Sequence, residues 1–485
     1  MKDDMRIESI TLGSVKSFAT RQRLDLKRLN LIYGANSSGK SSILQTLLLL
    51  QQSAARAYSA ERGVLEFRGG SVDLGGFRTF VHMHDTQRHI TIGLRVGDYG
   101  LFGEQPDHGN SMEIDLDFGL SGDDSGSEAA IMRASFLDSA RSRRITFERR
   151  TDGRMYLADA ASATAVVDAV VREYEAMEVT PRRNRGAATE LDKRWLRDWL
   201  RRQPASLYGW IPNWSPSIVA RGRPGRPIGG ANGSLRNNLA QFTVFQWADW
   251  SNDTAYRLFS VLNAFEYVGP LREFPRRVVT EASEGRGLGA RGERLVLHLG
   301  RNAQLVDEVN RAFRELEIPY ELAVNQFNAG KIEDALGDVA VAVLVDTRSG
   351  VVVSPADVGF GLSQILPVVV QLVGNRGSLI VIEQPEIHLH PKMQSRIADV
   401  MLRSVIEYGN TLLIETHSEH ILFRLERRLR SLTPGMRNGV LGVNYVKSAR
   451  GRAEIVPLTV DSTGRVVDPW PEGFFDEKLS DLLAD

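Results

Sequence analysis

Gly34-Ala35-Asn36-Ser37-Ser38-Gly39-Lys40-Ser41 is the stretch on which the reading of this chain turns. It satisfies the spacing G-x-x-x-x-G-K-[ST], and each residue type has a chemical reason to be there. Glycines let the backbone curl so that successive N–H groups face phosphate oxygens. Lys40 offers a point charge to β- and γ-phosphates, and the Ser41 hydroxyl can ligate Mg²⁺. The helix that follows points its positive end at the same anion. LNLIY (29–33) reads as the strand before the loop, and Ile43, Leu44, Leu47 and Leu48 recur at helical spacing after it. Gly34, Asn36, Ser37, Ser38, Gly39, Lys40, Ser41 and Ser42 are therefore the expected nucleotide-binding residues, with ATP and Mg²⁺ as the expected ligands.

The rest of such a site is expected far away in the chain. LIVIEQPEIHLHP (379–391) is an apolar strand ending in acids, and Glu383 stands where a Mg²⁺-linked carboxylate belongs. NTLLIETHS (410–418) is a second buried strand, ending in His417 within reach of a γ-phosphate. VGFGLSQILPVVVQL (358–372) reads as a glycine loop opening a helix at Ser363, with Pro367 in its first turn. A helix start of that kind can hold a phosphate. Thr416-His417-Ser418-Glu419 also fits a capping box before EHILFRLERRL, so Glu419 can be read as a cap. His388 and His390 lack a third ligand nearby, which favours packing over metal binding.

Composition narrows the classes. The chain has 485 residues, 42% hydrophobic and 25% charged, which suits a globular protein of two or three domains, or one core with a large insertion. It contains no Cys, excluding disulfides, thiolate zinc sites and cysteine nucleophiles. The longest apolar run, LPVVVQLV (366–373), is far short of the ~20 residues of a membrane span. MKDDMRIESITLG (1–13) has acids where a signal peptide starts basic, so a cytoplasmic protein is expected. Sixty basic and sixty acidic side chains cancel, and any case for nucleic acid rests on local patches.

Between the two halves the character changes. Gly, Asp and Ser crowd 103–127, where a loop is expected, and 166–202 is helical in pattern. The block carries PRRNRG (181–186), KRWLRDWLRR (193–202) and ARGRPGR (220–226), among or near Trp195, Trp199, Trp210, Trp214, Trp247 and Trp250. Arg with aromatics suits nucleic acid or a protein interface. It also fits a solvated helix face with Trp195 and Trp199 buried. The expected organisation is a nucleotide-binding core in two parts, 1–100 and 261–485, around an inserted helical and loop domain, 101–260.

Six motifs then stand in order: Asn36–Ser42, Asp73–Gly75 with Val81–Asp85, Tyr267–Arg277, Gly359–Pro367, Glu383–Pro391 and Glu415–Glu419. Together they resemble the ABC-type ATPases of the SMC, RecF and OLD-like class, and in particular bacterial "AAA family" ATPases. The resemblance covers about 1–95 and 265–475, and the block between carries none of it. It implies an α/β fold: an ABC-type P-loop ATPase head with a mixed sheet core and a large inserted α-rich domain. It also implies a head-to-tail dimer or higher homo-oligomer, with ATP between the phosphate loop of one subunit and the Ser363 loop of the other.

ABC-type relatives mostly carry Asp then Glu after the acidic strand, the Glu serving as general base. Here Glu383 is followed by Gln384, which cannot accept a proton. Gln384 then positions water, with Glu386 or His417 helping, or turnover is slow by design. OLD-type relatives carry a fused nuclease needing a Glu and a D-x-D on strand ends. Asp461, Asp468, Asp476 and Asp481 show no such arrangement, so nuclease chemistry is expected in a separate effector. The resemblance points to an ATPase subunit controlling that effector, in antiviral defence. A RecF-like DNA-repair ATPase and an ATP-assembled scaffold with little hydrolysis are the alternatives.

Overall fold

The computed structural model describes residues 6–60, 63–97, 111–120, 128–138, 143–176, 188–215, 233–274, 276–280, 288–327 and 339–475. Two compact units emerge, one of Met1–Asp25 with Gln45–Asn263, the other of Leu26–Leu44 with Ala264–Asp485.

The second unit is built on a six-stranded sheet. Its strands run in the order Glu266–Val268, Leu379–Glu383, Thr411–Glu415, Leu29–Tyr33, Leu441–Ala449, Arg452–Leu458. The first five are parallel and only the last is antiparallel. LNLIY and TLLIE are buried at every position, and LIVIE at all but its first. Such continuously buried, mostly apolar runs suit parallel strands covered on both faces. Helices Phe360–Gly374, Pro391–Ile406 and Glu419–Arg430 supply buried side chains to the same core, among them Val369, Ile397, Met401 and Leu425. A smaller antiparallel sheet joins Tyr320–Phe327, Val339–Asp346, Val279–Thr280 and Val352–Val353. The expected α/β class with a mixed sheet core is what the chain adopts.

The first unit holds an eight-stranded antiparallel sheet whose main path runs Gln22–Asp25, Arg6–Gly13, Ile90–Gly97, Ser111–Leu120, Ala129–Asp138, Arg143–Arg149, Met155–Leu157. Ser111–Leu120 lies where a loop was expected. Its Gly and Asp content hides a strict alternation in which Met112, Ile114, Leu116 and Phe118 are buried. This strand pairs in register with Ile90–Gly97, so the sheet runs straight across the expected boundary near residue 100. Helices Ala160–Ala176, Glu190–Leu200 and Gly233–Ala264 make up the helical part of the inserted block.

The tryptophans of that block divide into two groups. Trp210, Trp214, Trp247 and Trp250 are core residues, packed edge-on or tilted against Phe118, Phe136 and Phe147. They cannot serve as stacking surfaces for a nucleic acid. Trp195 and Trp199 are half-buried and stack on each other at 6.1 Å, while Leu196 and Leu200 fill the buried face of their helix. PRRNRG and ARGRPGR lie outside the described residues.

Candidate nucleotide site

Parallel strands bring their carboxyl ends to one edge, and open α/β sheets place ligands there. In this sheet that edge carries the phosphate loop after Tyr33, the acidic turn after Glu383 and the Thr416-His417 turn after Glu415. Register sharpens the arrangement, because Glu383 pairs with Glu415 and Glu415 with Ile32.

The phosphate loop needs its glycines. Gly34 has φ +148°, and a Cβ there would sit 2.8 Å from Ser38 Oγ and press on the Val446 carbonyl. Gly39 has φ +112° and Ser37 φ +61°, both in the left-handed region. Asn36 and Ser37 are exposed at the rim, Ser38 and Ser42 are buried, and Ser38 Oγ has no hydrogen-bond partner. Lys40 is 4% exposed, with its ammonium donating to the carbonyls of Gly34 and Ala35 at 2.9 Å each.

Ser41 and Glu383 were the expected metal pair, but the Ser41 hydroxyl donates to Glu415, at 2.9 Å to Oε2. Lys40 Nζ lies 4.0 Å from the same carboxylate. Glu415 stands on the strand next to the loop, and Glu383 on the strand beyond. Glu383 instead accepts from the Tyr267 hydroxyl at 2.8 Å. Glu386 accepts from Thr416 Oγ1 at 2.8 Å and from the His417 N–H at 2.7 Å. With both oxygens engaged, it braces the acidic turn against the histidine turn. Gln384 is half-buried with φ +46°, and its N–H donates to the Glu415 carbonyl at 2.7 Å.

Burial governs the protonation states. It raises the Glu383 carboxyl to about 7, helped by the charge of Glu415 and opposed by Tyr267 and Arg272. Burial likewise raises Glu386 and Glu415 above the usual carboxylate range. His417 is pushed down by burial and then by the Lys40 charge, which favours neutral imidazole. Three buried carboxyls thus face Lys40 and Arg272. That surplus of acid, the unpartnered Ser38 hydroxyl and the glycine-dependent cradle fit a nucleotide accompanied by a divalent cation.

Two residues of the Tyr267–Arg277 motif join this site without having been assigned a role. Arg272 is buried and its Nη2 donates to the carbonyls of Glu383 (2.7 Å) and Gln384 (3.3 Å). Gln364 Nε2, 3.5 Å from the Arg272 carbonyl, ties the motif to the helix Phe360–Gly374. Tyr267 lies in the short strand Glu266–Val268 and Arg272 just after it, and the motif that holds both was the advance signal.

Some expectations on local structure need correction. The glycine-loop helix starts at Phe360 with Gly359 as N-cap, so Ser363 lies inside the helix and is 3% exposed. Pro367 is interior to that helix, not in its first turn. Ser418, not Thr416, caps Glu419–Arg430, accepting from the Ile421 N–H; Thr416 is held by Glu386 instead. His390 caps Pro391–Ile406, while His388 is exposed. Among the described residues no group of three His, Asp or Glu is arranged to hold a metal alone. No helix among the described residues is long and apolar enough to cross a membrane.

Fold and site define a nucleotide-binding α/β core with a phosphate loop at the carboxyl edge of a largely parallel sheet. Residues 29–93 and 270–422 match the family described as "AAA domain, putative AbiEii toxin, Type IV TA system". Residues 440–484 match a family described as "Protein of unknown function (DUF3696)". Over 92 residues the chain is 32% identical to the DNA replication and repair protein RecF of Shewanella frigidimarina (strain NCIMB 400). That match covers 19% of this chain and 24% of that protein, so the chain spans about a quarter of its curated relative. Among solved structures, the SMC head domain from Thermotoga maritima aligns with TM-score 0.36 at 11% identity, over 94% of this chain and 100% of that one. An SMC head with a coiled coil and joint from Pyrococcus yayanosii gives TM-score 0.39 at 10% identity, over 95% and 98%.

Proposed function

We propose that this protein binds and hydrolyses ATP on the phosphate loop, uses ATP to join two copies of itself, and thereby controls a separate effector protein. The observation that carries the reading is the Ser41–Glu415–Lys40 constellation, set by register at the carboxyl ends of adjacent parallel strands. Main-chain N–H groups of 35–40 receive the phosphates, and Lys40 turns from its own loop carbonyls toward them. Ser41, with Glu415 and Glu383 behind it, would hold Mg²⁺, which when bound neutralises charge on the β- and γ-phosphates. Gln384 and His417 orient the attacking water, while Glu386 keeps the two turns in register. The matched family's description names a toxin of a Type IV TA system. Together with the resemblance to antiphage ATPases, it supports a role in antiviral defence, in the cytoplasm.

The segment similar to RecF favours a second reading, direct DNA binding during repair. The two separate on one titration, because direct binding to duplex DNA would weaken steeply with salt. An ATP-assembled scaffold would show no hydrolysis even in a single turnover.

Sharing of the site between copies is tested by mixing two variants. Gly359→Arg, at the exposed N-cap of the glycine-loop helix, is expected to bind ATP without hydrolysing it, and Lys40→Ala to fail at binding. In a mixed dimer one site carries both lesions and the other carries neither. A 1:1 mixture should therefore recover about a quarter of wild-type hydrolysis. No recovery, with subunit exchange demonstrated by labelled copies, would sink the shared-site model.

A further inference from the structure

Within the stretch matching a family of unknown function, residues 470–475 carry a cluster of aromatic side chains against the root of the phosphate loop. Trp470, Phe474 and Phe475 each meet the ring of Tyr33, with centroids 5.2, 6.0 and 5.5 Å away. Tyr33 is the last residue of the phosphate-loop strand, and its hydroxyl donates to the Ser418 carbonyl at 3.0 Å. Phe474 also lies 6.2 Å from the His417 imidazole, tilted by 34°, and 5.4 Å from Tyr445. It is the side chain that bridges the root of the phosphate loop and the histidine.

The same segment grips the helix that begins just after His417. Glu426 of that helix accepts from the Val466 N–H at 2.9 Å. Gly464, with φ +85°, lies so close that a Cβ would stand 2.7 Å from Leu429 Cβ. Phe475 reaches Phe423 at 6.5 Å. At its other end the segment is fixed by the Tyr445 hydroxyl donating to Glu472 at 3.0 Å. Between these contacts Phe474 packs beside the His417 imidazole.

We propose that residues 464–475 are a strap that sets the position of His417 for hydrolysis, with Phe474 as the positioning residue. The inference rests on the ATPase reading above and gives the unassigned stretch a task within it. Phe474 acts on the imidazole through packing, so its loss lets the ring leave its place without removing any phosphate contact. A displacement of about 1 Å in such a group can cost a hundredfold in rate.

The test is a double-mutant cycle in steady-state ATP hydrolysis with Phe474→Ala, His417→Ala and the pair. Phe474→Ala should lower kcat about tenfold or more and leave KM for ATP within about twofold. In the His417→Ala background it should cost nothing further, since its partner is already gone. Phe474→Tyr should restore most of the rate. Phe474→Leu serves as the test variant if the alanine form fails to melt cooperatively. Additive losses, an unchanged kcat, or a raised KM with kcat intact would each overturn the strap. Absence of hydrolysis in the wild-type chain would overturn the ATPase reading itself, a distinct result from these.

Discussion

Lys40→Ala is expected to abolish measurable ATP binding, lowering affinity by a factor of about 10²–10³ or more. Lys40 is the cation closest to the Ser41–Glu415 pair, and its ammonium is buried with two loop carbonyls and a carboxylate around it. Truncating one partner of a desolvated charge pair across a binding interface costs about 2–5 kcal/mol, and each 1.4 kcal/mol is about tenfold in binding. The side chain does not simply face outward toward phosphate, as the sequence suggested. It folds back over Gly34 and Ala35, so its removal also strips a donor from the loop. A modest fall in melting temperature should accompany the binding loss. Lys40→Met, which keeps the apolar stem, should lose binding with a smaller stability change. Titration with a fluorescent ATP analogue checks this, and wild-type affinity in either variant would refute the phosphate-loop assignment.

Glu383→Gln is expected to make the nucleotide-free protein more stable at pH 8, by up to about 3 kcal/mol. Burial and Glu415 raise the Glu383 carboxyl from 4.5 to about 7. Each pKa unit corresponds to about 1.4 kcal/mol. The sign follows from proton linkage. Between those values the folded chain holds a proton that the unfolded chain has lost, so stability falls as pH rises. The contribution is full below about 4.5 and gone above about 7. Glutamine keeps an acceptor for the Tyr267 hydroxyl but carries no charge at any pH. The gap between wild type and variant should therefore be small at pH 5 and largest at pH 8, read from denaturant midpoints. A gap that does not widen with pH would mean that Glu383 ionises normally in the fold. Hydrolysis should fall in the same variant, since a carboxylate on the acidic strand has been removed.

The loop at 34–41 was legible because its chemistry is local: Gly34, Gly39, Lys40 and Ser41 stand at fixed places within eight consecutive residues. The acidic and histidine strands were legible for the same reason, as apolar runs with polar ends. Glu415 was quoted only as part of a motif. Its importance comes from lying on the strand beside the phosphate loop, and strand order is not written in any short stretch. Arg272 and Phe474 were missed for a related reason. One acts on main-chain carbonyls 111 and 112 positions away, the other on Tyr33 and His417 through ring packing. Ser111–Leu120 was misread because Gly and Asp weighed more than the two-residue period of Met112, Ile114, Leu116 and Phe118. The tryptophans of the inserted block invited a nucleic-acid reading, yet four of those six are core. Large aromatics beside arginines carry no mark of which side faces water.

The order of strands in the core sheet also bears on how the protein is made. Among the described residues Leu29–Tyr33 pairs with Thr411–Glu415 and Leu441–Ala449, and the hydrogen bond from Asn30 to Leu412 spans 382 positions. A ribosome adding roughly 5–20 residues per second needs on the order of 20–80 s to cross that interval. Throughout it the phosphate-loop strand lacks the two strands that flank it in the described sheet. The nucleotide site therefore closes only after the distant strands have been made, and ATP binding reports that they have arrived. Chains stalled before residue 411 present an apolar LNLIY segment with no sheet to join, a natural handle for chaperones and proteases.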